Sequence, residues 1–188
     1  SFDEIQSGFA RTGPLFAYQH YNVKPDIICC GKGISSSLPL AAVLGRADVM
    51  DLPEIGSMSS THSANPLSCA AGLANLEEIE RLGLVEKSMK KGAILHKRLS
   101  DMQKRYPEYI SHVLGVGMLG SLIFNDTNTE NGASFFASQI CEEAMRKGVL
   151  LVHTGRESIK IGPPLTIPED ALGEGLDVLD EILQECTK

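Results

Sequence analysis

Short apolar runs separated by polar turns occupy the first quarter of the chain. They predict strands at residues 1–3, 26–30 and 40–45. The run from Ile27 to Cys30 contains no polar position, which is typical of a strand buried on both faces. Strands spaced by helical and turn signals predict an α/β arrangement for this part of the chain.

A long segment of helical periodicity begins at Asn65-Pro66 and runs to about residue 106. Pro66 suits the first turn of a helix, and Gly83 predicts a break. Apolar residues recur at helical spacing before that break, at Leu73, Leu76, Ile79 and Leu82. We interpret the segment as a connector between two domains, residues 1–80 and residues 81–188.

The second half predicts a compact α+β domain. Two strands around a glycine turn are expected within residues 108–124, a helix at 134–147, and two further strands within 148–154 and 157–167. A terminal helix is expected after Pro168, where Glu169 and Asp170 suit the positive end of the helix dipole.

Composition excludes several classes of function. The 188 residues carry 17 basic and 24 acidic side chains, a net charge of −7, and the basic residues are scattered, so nucleic acid is not an expected partner. No apolar run approaches the roughly 20 residues of a membrane span. Five cysteines without Cys/His ligand spacing predict reduced core residues and no metal site. We expect a soluble, cytoplasmic protein.

Lys32 stands between Gly31 and Gly33, directly after the predicted strand that ends at Cys30. Ligands of open α/β sheets bind at the carboxyl ends of strands, and the glycines would allow a close approach there. A phosphate-binding P-loop is excluded, because it needs glycine where Asp26 stands and Ser or Thr after the lysine. Two interpretations remain: an amine that forms a Schiff base with a carbonyl, or a solvated loop lysine.

Asp3 and Gln6 follow the end of another predicted strand. A carboxylate, an amide and the Lys32 amine could therefore converge on one crevice at the sheet edge. Three groups of such different chemistry predict a bound cofactor.

Four segments, in order along the chain, resemble the class III (ω-amino acid type) aminotransferases. They are DEIQSGFARTG, PDIICCGKGISSSLPLAA, SSTHSANPLSCAAGLANLE and IKIGPPLTIPEDAL. The resemblance implies the fold type I architecture of enzymes that depend on pyridoxal 5′-phosphate. Residues 1–80 would be the C-terminal part of the large, mostly parallel-sheet domain with the start of the linking helix. Residues 81–188 would be the small C-terminal α+β domain.

The resemblance also implies roles for individual residues. Lys32 would form the Schiff base with the cofactor and later move a proton, and Asp3 would pair with the pyridinium nitrogen. Gln6 would donate to the phenolic oxygen of the cofactor. Thr61 would bind the phosphate of the neighbouring subunit's cofactor, which implies a homodimer. Arg11 matches a family position that we interpret as structural.

The chain departs from the family pattern at Lys160, where an arginine often binds the substrate carboxylate. A lysine replaces the planar clamp by a point charge, and Arg156 is the alternative clamp. A glycine-rich phosphate loop and a ring-stacking aromatic residue of the family's N-terminal half are also missing. The sequence also has no initiator methionine. We therefore expect the chain to be a fragment of a longer protein, and we expect this fragment to be inactive by itself.

The implied activity is amine transfer from an ω-amino acid or diamine to an oxo acid such as 2-oxoglutarate. A racemase, epimerase or aminomutase of the same fold would use the same lysine and aspartate without net transfer. A third possibility is a module that folds or dimerises without catalysing a reaction.

Overall fold

The computed structural model describes residues 1–126 and 131–187. The chain divides into two compact units, Ser1–Lys87 and Ser88–Lys188. The sequence suggests a domain boundary after residue 80, whereas the two units divide after Lys87. Within the described residues, no helix is long and apolar enough to cross a lipid bilayer.

The first unit contains a three-stranded sheet in the order β1-β2-β3, formed by β1 (Phe2–Asp3), β2 (Ile27–Cys30) and β3 (Ala42–Gly45). β1 runs parallel to β2, whereas β3 pairs with β2 in antiparallel fashion. The three strands are where the sequence predicts them. The prediction that β2 is buried on both faces is wrong: Cys30 is buried, but residues 27–29 are half-buried.

Three helices follow the sheet, at Ala47–Met50 (α1), Pro66–Arg81 (α2) and Leu84–Arg105 (α3). Asn65 caps α2, since its Oδ1 accepts hydrogen bonds from the N–H groups of Leu67 and Ser68 at 3.0 and 3.4 Å. Gly83 separates α2 from α3 with a left-handed φ of +59°. The predicted helix start and break are confirmed.

The second unit contains a four-stranded antiparallel sheet in the order β4-β5-β7-β6. Its strands are β4 (Ile110–Val116), β5 (Leu119–Phe124), β6 (Val152–His153) and β7 (Ser158–Ile161), and its further helices are α4 (Ala133–Arg146) and α5 (Glu169–Cys186). The core combines apolar side chains of α3, the sheet, α4 and α5, including Leu99, Leu122, Ile140, Ile159 and Leu179. The α+β prediction is confirmed, although β6 is shorter than the apolar run around it.

Candidate active site

β1 and β2 end at the same edge of the first sheet. They run in the same direction with Asp3 opposite Cys29, so Asp3 ends β1 close to the level at which β2 ends. Lys32 follows β2 by two residues, and the side chains of Asp3, Gln6 and Lys32 are all exposed. The structure therefore brings the candidate carboxylate and amine to one sheet edge, where open α/β sheets bind their ligands.

Lys32 lies in a 3₁₀ turn, Lys32–Ile34, with a strained backbone. Its φ of +39° is in the left-handed region, as is the φ of +65° at Ser36. This conformation costs about 1–2 kcal/mol for a residue with a Cβ. The turn is closed by hydrogen bonds from Ile34 N–H to the Gly31 carbonyl and from Ser36 N–H to the Lys32 carbonyl, both 3.0 Å long.

The two glycines beside Lys32 make room for the protein itself. A Cβ at Gly31 would lie 3.1 Å from Cγ2 of Ile5, and a Cβ at Gly33 would lie 3.1 Å from the Cβ of Phe9. The expectation that these glycines admit a ligand is therefore corrected. They allow the loop that follows Asp3 to pack against the Lys32 turn.

That loop is anchored by Glu4, a residue that the sequence analysis did not identify. Its side chain is completely buried and accepts hydrogen bonds from the backbone N–H groups of Ala17 (3.0 Å) and Tyr18 (2.8 Å) and from Ser7 Oγ (2.5 Å). A buried carboxylate is tolerated when donors surround it in this way. No sequence pattern distinguishes a buried acid at the end of a strand, such as Glu4, from a solvated acid at the same position.

The carboxylate of Asp3 is oriented locally. Its Oδ1 accepts a hydrogen bond from the N–H of Ile5 at 3.0 Å, and its carbonyl accepts one from Ser7 Oγ at 3.2 Å. The carboxylate is thus oriented by the N–H of Ile5, two residues further along its own loop.

Asn75, in α2, was also missed. Its Nδ2 donates to the carbonyls of Gly33 at 2.8 Å and Ile34 at 3.4 Å. The side chain therefore ties α2 to the turn that carries Lys32. An asparagine within a helical pattern carries no signal for such a contact, which joins residues 42 positions apart.

The remaining candidates of the first unit differ in exposure. Arg11 is half-buried, and burial lowers the pKa of its guanidinium from the usual value. Thr61 lies within a fully exposed segment, residues 51–67. Burial raises the pKa of the Cys30 thiol, and the negative charge of Glu4 raises it further. Cys69 is exposed, so the expectation that all the cysteines are core residues is wrong; it lies on an outward face of α2.

Lys160 lies in the second unit, within β7 and between Ser121 of β5 and Val152 of β6. Ile159 and Ile161 are buried on either side of it in sequence, whereas Lys160 is half-exposed, as strand alternation predicts. It lines a largely apolar cleft of about 490 Å³ together with Pro163, Pro164, Leu172 and Leu176. Arg156 is exposed in the loop before β7.

The loop that follows β7 is held by Lys91 of α3. The Lys91 side chain is 5% exposed, and its Nζ donates to the carbonyls of Leu165 at 2.5 Å and Ile167 at 2.7 Å. Lys90 pairs with Glu169 at the start of α5, with 2.7 Å between Nζ and Oε1. Lys91 thus holds the loop, whereas the exposed Lys90–Glu169 pair contributes little to holding α5.

Comparison with known proteins identifies the family. The aminotransferase class-III family model matches residues 2–183, and the chain belongs to this family. It is 37% identical to the 4-aminobutyrate aminotransferase of Mycobacterium leprae over 183 residues, which are 96% of this chain and 41% of that protein. It is 40% identical to the leucine/methionine racemase of Thermococcus litoralis over 185 residues, 97% of this chain and 41% of that protein.

A solved structure extends the comparison to the fold. The ornithine aminotransferase of Toxoplasma gondii, whose active site is partially occupied by pyridoxal phosphate, aligns with a TM-score of 0.88 at 29% identity. The match covers 99% of this chain and 44% of that chain. The fold is thus that of part of a fold type I enzyme, and the chain spans about two fifths of the length of the curated relatives it matches.

Proposed function

We propose that the protein is an aminotransferase that uses pyridoxal 5′-phosphate to move an amino group from an ω-amino acid or diamine to an oxo acid such as 2-oxoglutarate. The observation that carries this proposal is the placement of Lys32 and Asp3 at the same edge of a parallel strand pair, with Gln6 in the loop between them. Membership of the class-III family supports it.

The chemistry of the side chains fits the cofactor. An exposed amine, carboxylate and amide lie around one sheet edge at Lys32, Asp3 and Gln6, and Thr61 offers an exposed hydroxyl. When bound, pyridoxal phosphate supplies an aldehyde and an electron-withdrawing ring. These four side chains match its aldehyde, pyridine nitrogen, phenolic oxygen and phosphate in turn.

Each residue then has a distinct task. The Lys32 amine would hold the cofactor covalently and would later move a proton to and from the substrate carbon. Asp3 would keep a proton on the pyridine nitrogen. Gln6 would donate to the phenolic oxygen, and Thr61 would donate to the phosphate.

Lys160 is our candidate for binding the substrate carboxylate. Its half-exposed ammonium stands next to the Pro163-Pro164 segment, at the position where family members often have arginine. A single ammonium binds a carboxylate without the bidentate geometry of a guanidinium. Arg156, in the preceding loop, is the second candidate for the same task.

A cytoplasmic homodimer is part of this proposal. Thr61 would then act on the cofactor of the neighbouring subunit. Its place in the fully exposed segment 51–67 supports that assignment.

A racemase or epimerase is the second candidate, and the 40% identity to the leucine/methionine racemase favours it. Lys32 and Asp3 would keep their tasks, but the amino group would stay on its carbon, and the proton removed from that carbon would return on either face. The half-reaction separates the two activities. An aminotransferase given only the amino donor releases one oxo product per site and keeps the amino group, whereas a racemase inverts its substrate and releases no oxo product.

The first experiment is reductive trapping. The purified complete protein is incubated with pyridoxal phosphate, its absorbance spectrum is recorded, and sodium borohydride is added before peptide mapping. We expect an absorption band that borohydride removes and a cofactor adduct on Lys32. An adduct on another lysine, or no adduct at all, would refute the assignment, and Lys32→Ala serves as the control for nonspecific labelling.

A further inference from the structure

The turn that carries Lys32 uses its backbone carbonyls in two ways. N–H groups of the turn itself donate to the carbonyls of residues 31, 32 and 35. The carbonyls of Gly33 and Ile34 instead accept from the side chain of Asn75, at 2.8 and 3.4 Å. One side chain from α2 therefore completes the hydrogen bonding of the turn.

The orientation of the Asn75 amide follows from its partners. Both partners are carbonyl oxygens, which accept but cannot donate, so the amino end of the amide must face the turn. The helix lies close enough to impose this contact, since a Cβ at Gly72 would be 3.5 Å from the Ile34 carbonyl oxygen. Asparagine is a weak helix former, so α2 itself gains little from it.

The turn needs such support because of its backbone. Lys32 and Ser36 both have left-handed φ values, +39° and +65°. Residues with a Cβ keep this conformation where surrounding contacts hold it in place. Ile5 and Phe9 pack against the turn at Gly31 and Gly33. The Asn75 side chain donates to the carbonyls of Gly33 and Ile34.

We propose that Asn75 is a positioning residue that holds the Lys32 turn in its left-handed form and thereby aims the Lys32 amine at the cofactor. The second part of this inference rests on the proposed function. Asn75 does not touch the reacting atoms; it acts through the backbone of residues 33 and 34. Replacing it should loosen the turn while leaving the Lys32 side chain present.

The first part of the proposal, that Asn75 holds the Lys32 turn, is tested in the absence of cofactor. Asn75→Leu removes both donors at similar size, Asn75→Ala removes them with less bulk, and Glu77→Gln changes an exposed residue of the same helix as a control. Hydrogen exchange of the cofactor-free protein is followed on the peptide covering residues 33–37. We expect exchange there to rise about tenfold in the Asn75 variants, as in a locally opened segment. Unchanged exchange would overturn the proposal, and the Ala variant decides if the Leu variant does not fold.

The second part of the proposal, that the turn directs the Lys32 amine toward the cofactor, is tested in the complete protein with pyridoxal phosphate bound. We expect the Asn75 variants to shift the pH midpoint of the cofactor absorption band and to lower kcat about tenfold with substrate KM within about twofold of wild type. A looser turn with an unchanged midpoint and kcat would show that Asn75 is merely structural and would overturn the positioning role. If the wild type forms no such band, the proposed function fails, and the exchange result alone decides whether Asn75 holds the turn.

Discussion

Two acids that are adjacent in sequence, Asp3 and Glu4, have opposite environments. Asp3 is exposed at the sheet edge, whereas Glu4 is completely buried beneath three hydrogen-bond donors. Side chains of consecutive residues at a strand end point to opposite sides, so one faces the edge and the other faces the protein. The Asp3 carboxylate is therefore available for a ligand, whereas the Glu4 carboxylate anchors the loop that follows β1.

Replacing Lys32 separates cofactor binding from turnover. In the complete protein, Lys32→Ala should abolish amine transfer, since alanine supplies no amine for the Schiff base, while Asp3, Gln6 and Thr61 should still bind pyridoxal phosphate without a covalent bond. Turnover is measured together with equilibrium dialysis of the cofactor. Residual turnover within about tenfold of wild type would contradict the assignment of Lys32.

Lys160 is tested by the choice of substrate. If it binds the carboxylate, Lys160→Ala should lower kcat/KM for 2-oxoglutarate by the equivalent of about 1.5–3 kcal/mol and spare an amine donor without a carboxylate. Steady-state kinetics with both substrates measure the difference. Equal, small effects on both would leave Lys160 as a strand residue, and the same comparison on Arg156→Ala would then identify the alternative clamp.

At the scale of elements, helices position the loops that carry the candidate side chains. α2 reaches the Lys32 turn through Asn75, and α3 reaches the loop after β7 through Lys91. In both cases a side chain donates to two backbone carbonyls that secondary structure does not use. Segments with such anchors keep a defined course outside the sheets and the long helices.

Removing the Lys91 anchor should destabilise the second unit. Lys91→Met fills similar space but leaves the carbonyls of Leu165 and Ile167 without these donors, at a cost of about 1.5–3 kcal/mol in the free energy of unfolding. Urea denaturation measures this cost, and hydrogen exchange over residues 163–168 locates it. Lys97→Met, at an exposed site on α3, should stay within about 0.5 kcal/mol of wild type. Equal stability of the two variants would show that the Lys91 hydrogen bonds contribute nothing measurable.

For the whole molecule, the exposed segment before α2 is the feature with the clearest consequence. Leu52, Ile55 and Met58 are 78%, 107% and 73% exposed. Several large apolar side chains exposed within one segment are typical of an interaction surface. Because Thr61 follows directly, we propose that a second subunit covers this segment and receives the Thr61 hydroxyl.

Hybrid dimers test whether Thr61 serves the neighbouring subunit. Lys32→Ala dimers should be inactive, and Thr61→Ala dimers should bind the cofactor more weakly because a phosphate donor is lost. In a hybrid of the two variants, a Thr61 that acts across the interface leaves one site with both native residues. Cofactor titration should then reveal one site of wild-type affinity per dimer, with matching activity.

The hybrid dimer gives a different result if Thr61 binds the cofactor of its own subunit. If Thr61 acts within its own subunit, every hybrid site carries one substitution, and no site of wild-type affinity appears. A monomer by analytical ultracentrifugation at the assay concentration would refute the dimer itself.

The sequence by itself determined the strands, the long helices and the chemistry of the candidate site. Periodicity, Asn65-Pro66, Gly83 and the acidic turn after Pro168 are local signals, and each helix or strand depends mainly on residues close to it in the chain. The motifs around Asp3 and Lys32 were equally visible, because those side chains and their neighbours are contiguous in sequence.

Only the tertiary structure decided what holds those residues in place. Glu4 bonds to a residue 14 positions away, Asn75 to one 42 positions away, and Lys91 to one 76 positions away. Polar side chains of these types are usually solvated, and no local pattern marks the few that fold against a distant carbonyl or N–H group. The same reason explains why Gly31 and Gly33 suggested a ligand, although they make space for Ile5 and Phe9. A sequence shows that backbone must pass closely at a glycine, but only the folded chain shows what passes there.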